Sequence, residues 1–161
     1  MLHFLKPDDD AAMVRIPPPL VFIAFIVIGF LFDKYTLSVR LHVDELLQLS
    51  IAATIGLVGA VMIGVAFQGH LRTKQNPEPW KSTPKVLTDG VYGYSRNPMY
   101  VGMAIGQLAV GAALGNIWIV LLVPASMYCV YLCAIRHEET YLLEKFGQPF
   151  AAYMSSVRRW F

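Results

Sequence analysis

Four apolar blocks, each free of Lys, Arg, Asp and Glu, alternate with polar segments along the chain. They run over Ile16–Phe32, Leu46–Phe67, Pro98–Leu114 and Ile117–Ile135. A helix crosses the hydrocarbon core of a bilayer with about 20 apolar residues. Each block reaches or approaches that length, so the pattern predicts an all-α membrane protein with four transmembrane helices. Asp8-Asp9-Asp10 lie ahead of the first block and Pro17-Pro18-Pro19 at its start, without a basic segment directly before a short core. The block therefore reads as a span and not as a signal peptide. Past Ile135 the pattern changes. Leu142, Phe146, Phe150, Tyr153 and Val157 recur at helical spacing, and Gly147 and Pro149 divide the stretch in two. This predicts two short amphipathic helices lying on the membrane surface, with Arg158, Arg159 and Trp160 as interfacial anchors.

Within the blocks, small residues repeat every four positions: Ala52, Gly56, Ala60 and Gly64 on the second, Gly102 and Gly106 on the third. That spacing lets helix backbones approach closely in lipid, within one subunit or between two. Only Gly115-Asn116 separates the third and fourth blocks, so they must form a tight antiparallel hairpin. Pro124 frees a carbonyl in the fourth block and is a place for a kink. The polar stretch from Gln68 to Asn97 carries three prolines and an Asp89-Gly90 turn signal, which argues against a long helix there. Trp80, Val86, Leu87, Val91, Tyr92 and Tyr94 are interleaved in it, so it reads as an ordered loop with a role.

Composition agrees with the pattern: 56% of residues are hydrophobic and 15% charged, against about 25% charged in soluble proteins. The 161 residues make one membrane domain, residues 1–161. Charge adds orientation. With four spans, Lys6, Arg15, Arg72, Lys74, Lys81, Lys85, Arg96, Arg136, Lys145, Arg158 and Arg159 share one side, and only Lys34 and Arg40 face the other. By the positive-inside rule both termini are cytoplasmic. The expected place is an integral protein of a bacterial inner membrane. No nucleic-acid partner is expected, and the oligomeric state is left open. Cys129 and Cys133, four apart within the fourth block, read as small apolar residues. His3, His42, His70 and His137 form no local cluster, and no metal site is expected.

Two polar groups abut apolar blocks on the same side: Arg96-Asn97 before the third, and Arg136-His137-Glu138-Glu139 after the fourth. The hairpin must bring them together, placing two arginines and two carboxylates at one cytoplasmic mouth. Snorkelling explains an arginine at a helix end. Adjacent glutamates at a membrane boundary repel one another and suit a cationic or hydrogen-bonding ligand. Gln107, one polar residue inside the third block, faces either a cavity or a neighbouring helix.

The ordered series Gly90-Val91-Tyr92, Arg96-Asn97-Pro98-Met99-Tyr100-Val101-Gly102, Glu138-Glu139-Thr140-Tyr141-Leu142, Phe146-Gly147 and Tyr153 resembles the isoprenylcysteine carboxyl methyltransferase and phospholipid methyltransferase superfamily, in its bacterial form. Arg72–Pro79, "RTKQNPEP", resembles the segment that precedes the motif in bacterial members. The resemblance covers roughly residues 65–160, with Asn97 standing where the family often has histidine. It implies S-adenosylmethionine as cofactor, held by residues of about 72–102 and 136–157 and capped by a C-terminal helix. It implies cofactor binding by Tyr94, Arg96, Asn97, Pro98, Tyr100, Val101, Gly102, Glu138, Glu139 and Tyr141, and catalytic roles for Arg136 and Glu139. The acceptor is expected to be lipophilic: a prenylcysteine-like carboxylate, a phospholipid amine or a similar group. An NADPH-dependent membrane reductase and a non-catalytic membrane scaffold are the alternatives.

Overall fold

The computed structural model describes residues 8, 10–14, 16–36 and 44–161. Lys6, Asp9, Arg15 and Arg40, used above for orientation and patterning, lie outside the described residues.

Helix α1 spans Pro18–Tyr35, with proline in its first turn. Helix α2 spans Glu45–Arg72 and starts where the Asp44 carboxylate accepts from the Leu47 amide at 3.0 Å. A 3₁₀ turn, Gly90–Gly93, precedes α3, Pro98–Ala113. Then come α4 (Ile117–Leu121), α5 (Val123–Val130), a π turn (Tyr131–Ile135) and α6 (Arg136–Phe146). Finally α7 covers Gln148–Ser156.

Among the described residues, three helices are long and apolar enough to cross a membrane: Pro18–Tyr35, Glu45–Arg72 and the continuous Ile117–Phe146. The third block forms α3 as expected, but at 16 residues it is shorter than those three. The fourth block does not stop at Ile135. Its helix runs through the π turn and on to Phe146, giving 30 residues. No glycine or proline stands between Pro124 and Gly147, so nothing breaks it. At 1.5 Å per residue this helix is about 45 Å long, more than the ~30 Å core, so α6 projects beyond the apolar layer. Pro124 acts earlier. Leu122 falls between α4 and α5, and the proline sits in the first turn of α5.

The α2–α3 packing is antiparallel and close. A Cβ on Gly59 would stand 2.9 Å from the Gly102 carbonyl, and one on Gly102 would stand 2.6 Å from Ile63 Cγ1. The buried positions of α2 are Ala52, Gly59 and Ala66, seven apart. Gly56 approaches Ala109, whereas Ala60 and Gly64 are exposed. The four-residue repeat thus misplaces the seam. Four residues overshoot one turn by about 40°, while seven drift by only about 20°.

The α3–α4 hairpin turns at Gly115, whose φ is +59°. Asn116 caps α4 by accepting from the Ile119 amide at 3.1 Å, and Gln107 donates to the Ile119 carbonyl at 3.0 Å. Of the two roles open to Gln107, the interhelical hydrogen bond is the one formed. Helix α1 closes on this hairpin, Gly29 lying against Ile119. These pairings put the start of α1, the end of α2, the start of α3 and α6 at one end of the bundle. The core beneath them contains Val21, Phe22, Ala104, Val123, Val130 and Ile135, with Trp160 packed against it.

Candidate functional site

The four helix ends and the 73–97 loop enclose a cavity of about 310 Å³. Pro18, Pro19, Phe67, Met99, Met103 and Phe150 make an apolar wall; Gln75, Arg96, Asn97, Glu138, Glu139 and Tyr141 bring polar groups. The loop is ordered, and Trp80, Val86, Leu87 and Tyr92 line the same space.

The Ser95-Arg96-Asn97-Pro98 stretch is fixed by residues more than sixty positions later. Arg96 N–H donates to the Arg158 carbonyl at 3.0 Å. The Asn97 side-chain amide donates to the Arg159 carbonyl at 3.1 Å, and the Ser95 hydroxyl to the same oxygen at 3.3 Å. Pro98 needs no donor at the first helical position. Its loop is therefore stitched to the chain after α7, not merely followed by a helix.

Arg96 donates from Nη2 to Glu139 Oε1 at 2.9 Å and from Nη1 to the Met154 carbonyl at 3.1 Å. Arg159 donates to both oxygens of the same carboxylate, at 3.0 and 2.9 Å, and its guanidinium lies 4.6 Å from the Tyr131 ring centroid. Glu139 is thus clamped between two arginines. Its neighbour Glu138 is different: it accepts from the Tyr100 hydroxyl at 2.5 Å and has no ion pair among the described residues. One carboxylate is neutralised and the other keeps acceptor capacity facing the cavity.

Behind these groups, α7 forms a wall. The Tyr153 hydroxyl donates to the Tyr92 carbonyl at 2.7 Å, and the Tyr92 hydroxyl lies 2.9 Å from His70 Nε2. Burial pushes the Tyr153 phenol up to about 12, so it remains a donor at neutral pH. Burial also pushes the Tyr92 phenol up. Helix α7 buries Phe150 and Tyr153 against protein, so the apolar stripe expected to face lipid serves partly as cavity lining.

Asp8 and Asp10, ahead of α1, form a strap tied to the 73–97 loop and to α6. The Asp8 carboxylate accepts from Lys81 Nζ and the Ser82 amide, both at 3.1 Å. Asp10 pairs with Lys145 and accepts from the Ser82 hydroxyl at 3.0 Å. The Tyr141 hydroxyl donates to the Asp10 carbonyl at 3.1 Å, and Ala12, behind it, lines the cavity.

Of the residues singled out from sequence, Arg96, Asn97, Pro98, Tyr100, Glu138, Glu139 and Tyr141 meet at this cavity. Four lie elsewhere. Tyr94 is 81% exposed, Val101 is buried in helix packing, Gly102 abuts Ile63 and Gly59 of α2, and Arg136 is exposed. Sequence reading did not find Gln75, whose side-chain oxygen and nitrogen are buried without partners, nor the Arg159 clamp. Arg159 was placed among interfacial anchors because its partner Glu139 is 20 positions away. No local signal marks Gln75 apart from its place in "RTKQNPEP".

An all-helical bundle of described residues, with a half-polar, half-apolar cavity at one end of its apolar helices, defines a small integral-membrane protein. The profile of the phospholipid methyltransferase family matches residues 41–149, and the chain belongs to that family. It is also similar to a Protein-S-isoprenylcysteine O-methyltransferase from Schizosaccharomyces pombe (strain 972 / ATCC 24843), with 32% identity over 97 residues. That match covers 60% of this chain and 39% of the relative, so the chain matches well under half of the relative's length.

Proposed function

We propose that this protein transfers a methyl group from S-adenosylmethionine to a lipophilic acceptor at the cytoplasmic face of a membrane. The observation that carries the reading is the cavity itself: Glu138, Arg96 and Glu139 share about 310 Å³ with Pro18, Phe67 and Met103. Pockets for small ligands run from about 300 to 1,000 Å³, so this one suits a mononucleoside cofactor better than a dinucleotide with a sterol.

The residues present fit such a cofactor. Buried polar groups almost always have partners, yet Arg96 Nε and both amide atoms of Gln75 have none. They call for a ligand with acceptors and a donor. Glu138 supplies a carboxylate for an ammonium or for ribose hydroxyls, and Arg96 a guanidinium edge for a carboxylate. Glu139, its oxygens spent on Arg96 and Arg159, acts as a positioning residue. Tyr100 holds Glu138 in place. Arg136, exposed, serves the acceptor or anionic headgroups outside the cavity.

The cofactor supplies a methyl group on a sulfonium, open to in-line displacement by a nucleophile. What the chain provides is alignment and exclusion of water; orientation alone contributes about 7–11 kcal/mol in favourable cases. The acceptor enters from the bilayer along the apolar wall. A prenylcysteine-like carboxylate and a phospholipid amine both suit that route.

In this reading α3 is a fourth crossing. Its 16 residues rise about 24 Å, and the Gly90–Asn97 segment completes the distance to the headgroups. Arg72, Lys74, Lys81, Lys85, Arg96, Arg136, Lys145, Arg158 and Arg159 gather at the cavity end, with Lys34 at the other, which favours a cytoplasmic mouth.

Calorimetry in detergent tests the cofactor. S-adenosylmethionine is expected to bind and NADPH not to, and Glu138→Gln is expected to abolish the binding. NADPH binding without S-adenosylmethionine binding would overturn the reading.

A further inference from the structure

His70 stands one turn beyond Phe67 on α2, and both line the cavity. Phe67 belongs to the apolar wall, so His70 marks the place where that wall meets the polar half. Its Nε2 lies 2.9 Å from the Tyr92 hydroxyl, and the two rings meet edge to face with centroids 6.0 Å apart. Tyr92 is held from two sides. A Cβ on Gly69 would stand 3.3 Å from its Cε2, and its carbonyl accepts from the Tyr153 hydroxyl at 2.7 Å. The end of α2, the 3₁₀ turn and α7 thus fix one histidine–tyrosine pair at the cavity. Cofactor binding by Glu138 and Arg96 makes no use of it.

Imidazole gains and loses a proton near neutral pH. Among the described residues no carboxylate pairs with His70, and its Nδ1 is buried without a hydrogen-bond partner. No anion holds the ring in its charged form, so it is free to accept a proton. The titratable and charged groups that share the cavity with the pair are Tyr153 of α7, Glu138 of α6, Tyr100 and Arg96 at the start of α3, and Glu78 and Lys85 of the loop. Tyr100 is bonded to Glu138 and Arg96 to Glu139, and Lys85 is exposed. His70 is the neutral base left among them.

The acceptor decides whether such a base has work. A carboxylate arrives at neutral pH with no proton to lose, and meets in Glu138 and Glu78 two groups of its own sign with no ion pair among the described residues. An amine arrives as an ammonium, whose nitrogen has no lone pair until a proton leaves. The second matches this lining.

We infer that the His70–Tyr92 pair takes the proton of a lipophilic amine acceptor, an inference that rests on the S-adenosylmethionine reading above and narrows its acceptor to an amine. The Tyr92 hydroxyl passes its proton to His70 Nε2 and takes one from the ammonium. The freed lone pair forms the N–CH3 bond, the S–CH3 bond breaks, and sulfur keeps its electron pair. The products are a methylated ammonium, S-adenosylhomocysteine and an imidazolium that returns its proton to water.

The experiment follows methyl transfer to dodecylamine and to dodecanoate against pH in detergent, for wild type, His70→Gln and Tyr92→Phe. Calorimetry measures S-adenosylhomocysteine binding by each. Nitrogen NMR of histidine-labelled protein, with the His70 signals identified by their loss in His70→Gln, reports which ring nitrogen carries the proton. Both variants are expected to bind S-adenosylhomocysteine as wild type does. Their kcat with dodecylamine is expected to fall roughly 100-fold at neutral pH, a loss that shrinks as pH nears the amine's own pKa of about 10. In ligand-free wild type at neutral pH, Nε2 is expected to be bare. A proton on Nε2 overturns the inference alone. So does a pH profile in the variants parallel to that of wild type, or an equal loss with dodecanoate, since either marks a structural role. Wild type that binds S-adenosylmethionine yet leaves dodecylamine unmethylated also overturns it. Failure of wild type to bind S-adenosylmethionine overturns the cofactor reading, and this inference with it.

Discussion

Arg96 and Glu139, 43 positions apart, meet at 2.9 Å with their side chains 9% and 14% exposed. This buried pair joins the start of α3 to the charged end of the 30-residue helix. Removing one partner of a buried pair leaves an uncompensated charge and costs about 3–5 kcal/mol. Glu139→Gln strands two arginines, so it is expected to lower the melting temperature in detergent sharply. Arg159 is 34% exposed, and its share of the clamp is worth under about 1 kcal/mol. Arg159→Lys is expected to melt close to wild type. Equal losses in the two variants would contradict this ranking.

Tyr100→Phe isolates a different contact. It removes the donor to Glu138 while keeping the ring. A buried acceptor left without its donor costs about 1–3 kcal/mol. Melting should register that loss, and S-adenosylmethionine affinity should fall with it as the carboxylate is freed to move.

The glycines of α2 and α3 separate repeat from contact. Gly102→Ala drives a Cβ into Ile63 and the Gly59 carbonyl, an overpacking expected to cost about 1–3 kcal/mol. Gly64→Ala has nothing within 4 Å and removes a poor helix former, for a gain of up to about 1 kcal/mol. Comparing the two variants by thermal unfolding checks the seam directly.

The strap is expected to respond to acid. Asp8 is held below its ordinary 3.8 first by the Ser82 amide and then by Lys81, and Asp10 below the same value first by Lys145 and then by the Ser82 hydroxyl. A carboxyl lowered on folding contributes stability that is whole above its unfolded pKa and disappears as pH falls through the folded value. The strap should therefore stay tied at neutral pH and come loose only in strong acid, below 3.8. Amide exchange at residues 10–14, corrected for intrinsic rates, should rise there. At neutral pH, Asp10→Asn should raise it too.

Lys74→Gly removes the left-handed strain at the end of α2. Relief of a non-glycine residue in that region is worth about 1 kcal/mol. A higher melting temperature is expected, since the turn's two hydrogen bonds, to the His70 and Leu71 carbonyls, are kept.

Much of this fold is written in hydropathy alone, because lipid imposes one rule on every backbone amide it surrounds. The four blocks became helices, and Gly115-Asn116 became the tight turn. Where the reading slipped, the cause was periodicity or distance. Ala60 and Gly64 looked like seam residues because a repeat of four resembles a helix turn but precesses around it. Ile135 looked like a helix end because charge begins at Arg136, yet charge alone does not stop a helix. Arg96, Glu138 and Glu139 were brought to one mouth by topology. Arg159 was not, because its partner Glu139 lies 20 positions away, and Gln75 was not, because a strained turn that no glycine advertises sets its place.

The carbonyls of Arg158 and Arg159 that hold Ser95, Arg96 and Asn97 lie outside any helix, beyond Ser156. The start of α3 is thus fastened by backbone that has no helical hydrogen bonds of its own. Fraying past Ser156 would release Ser95, Arg96 and Asn97 together, so a loss of order in that short stretch is felt at once on the opposite wall of the cavity.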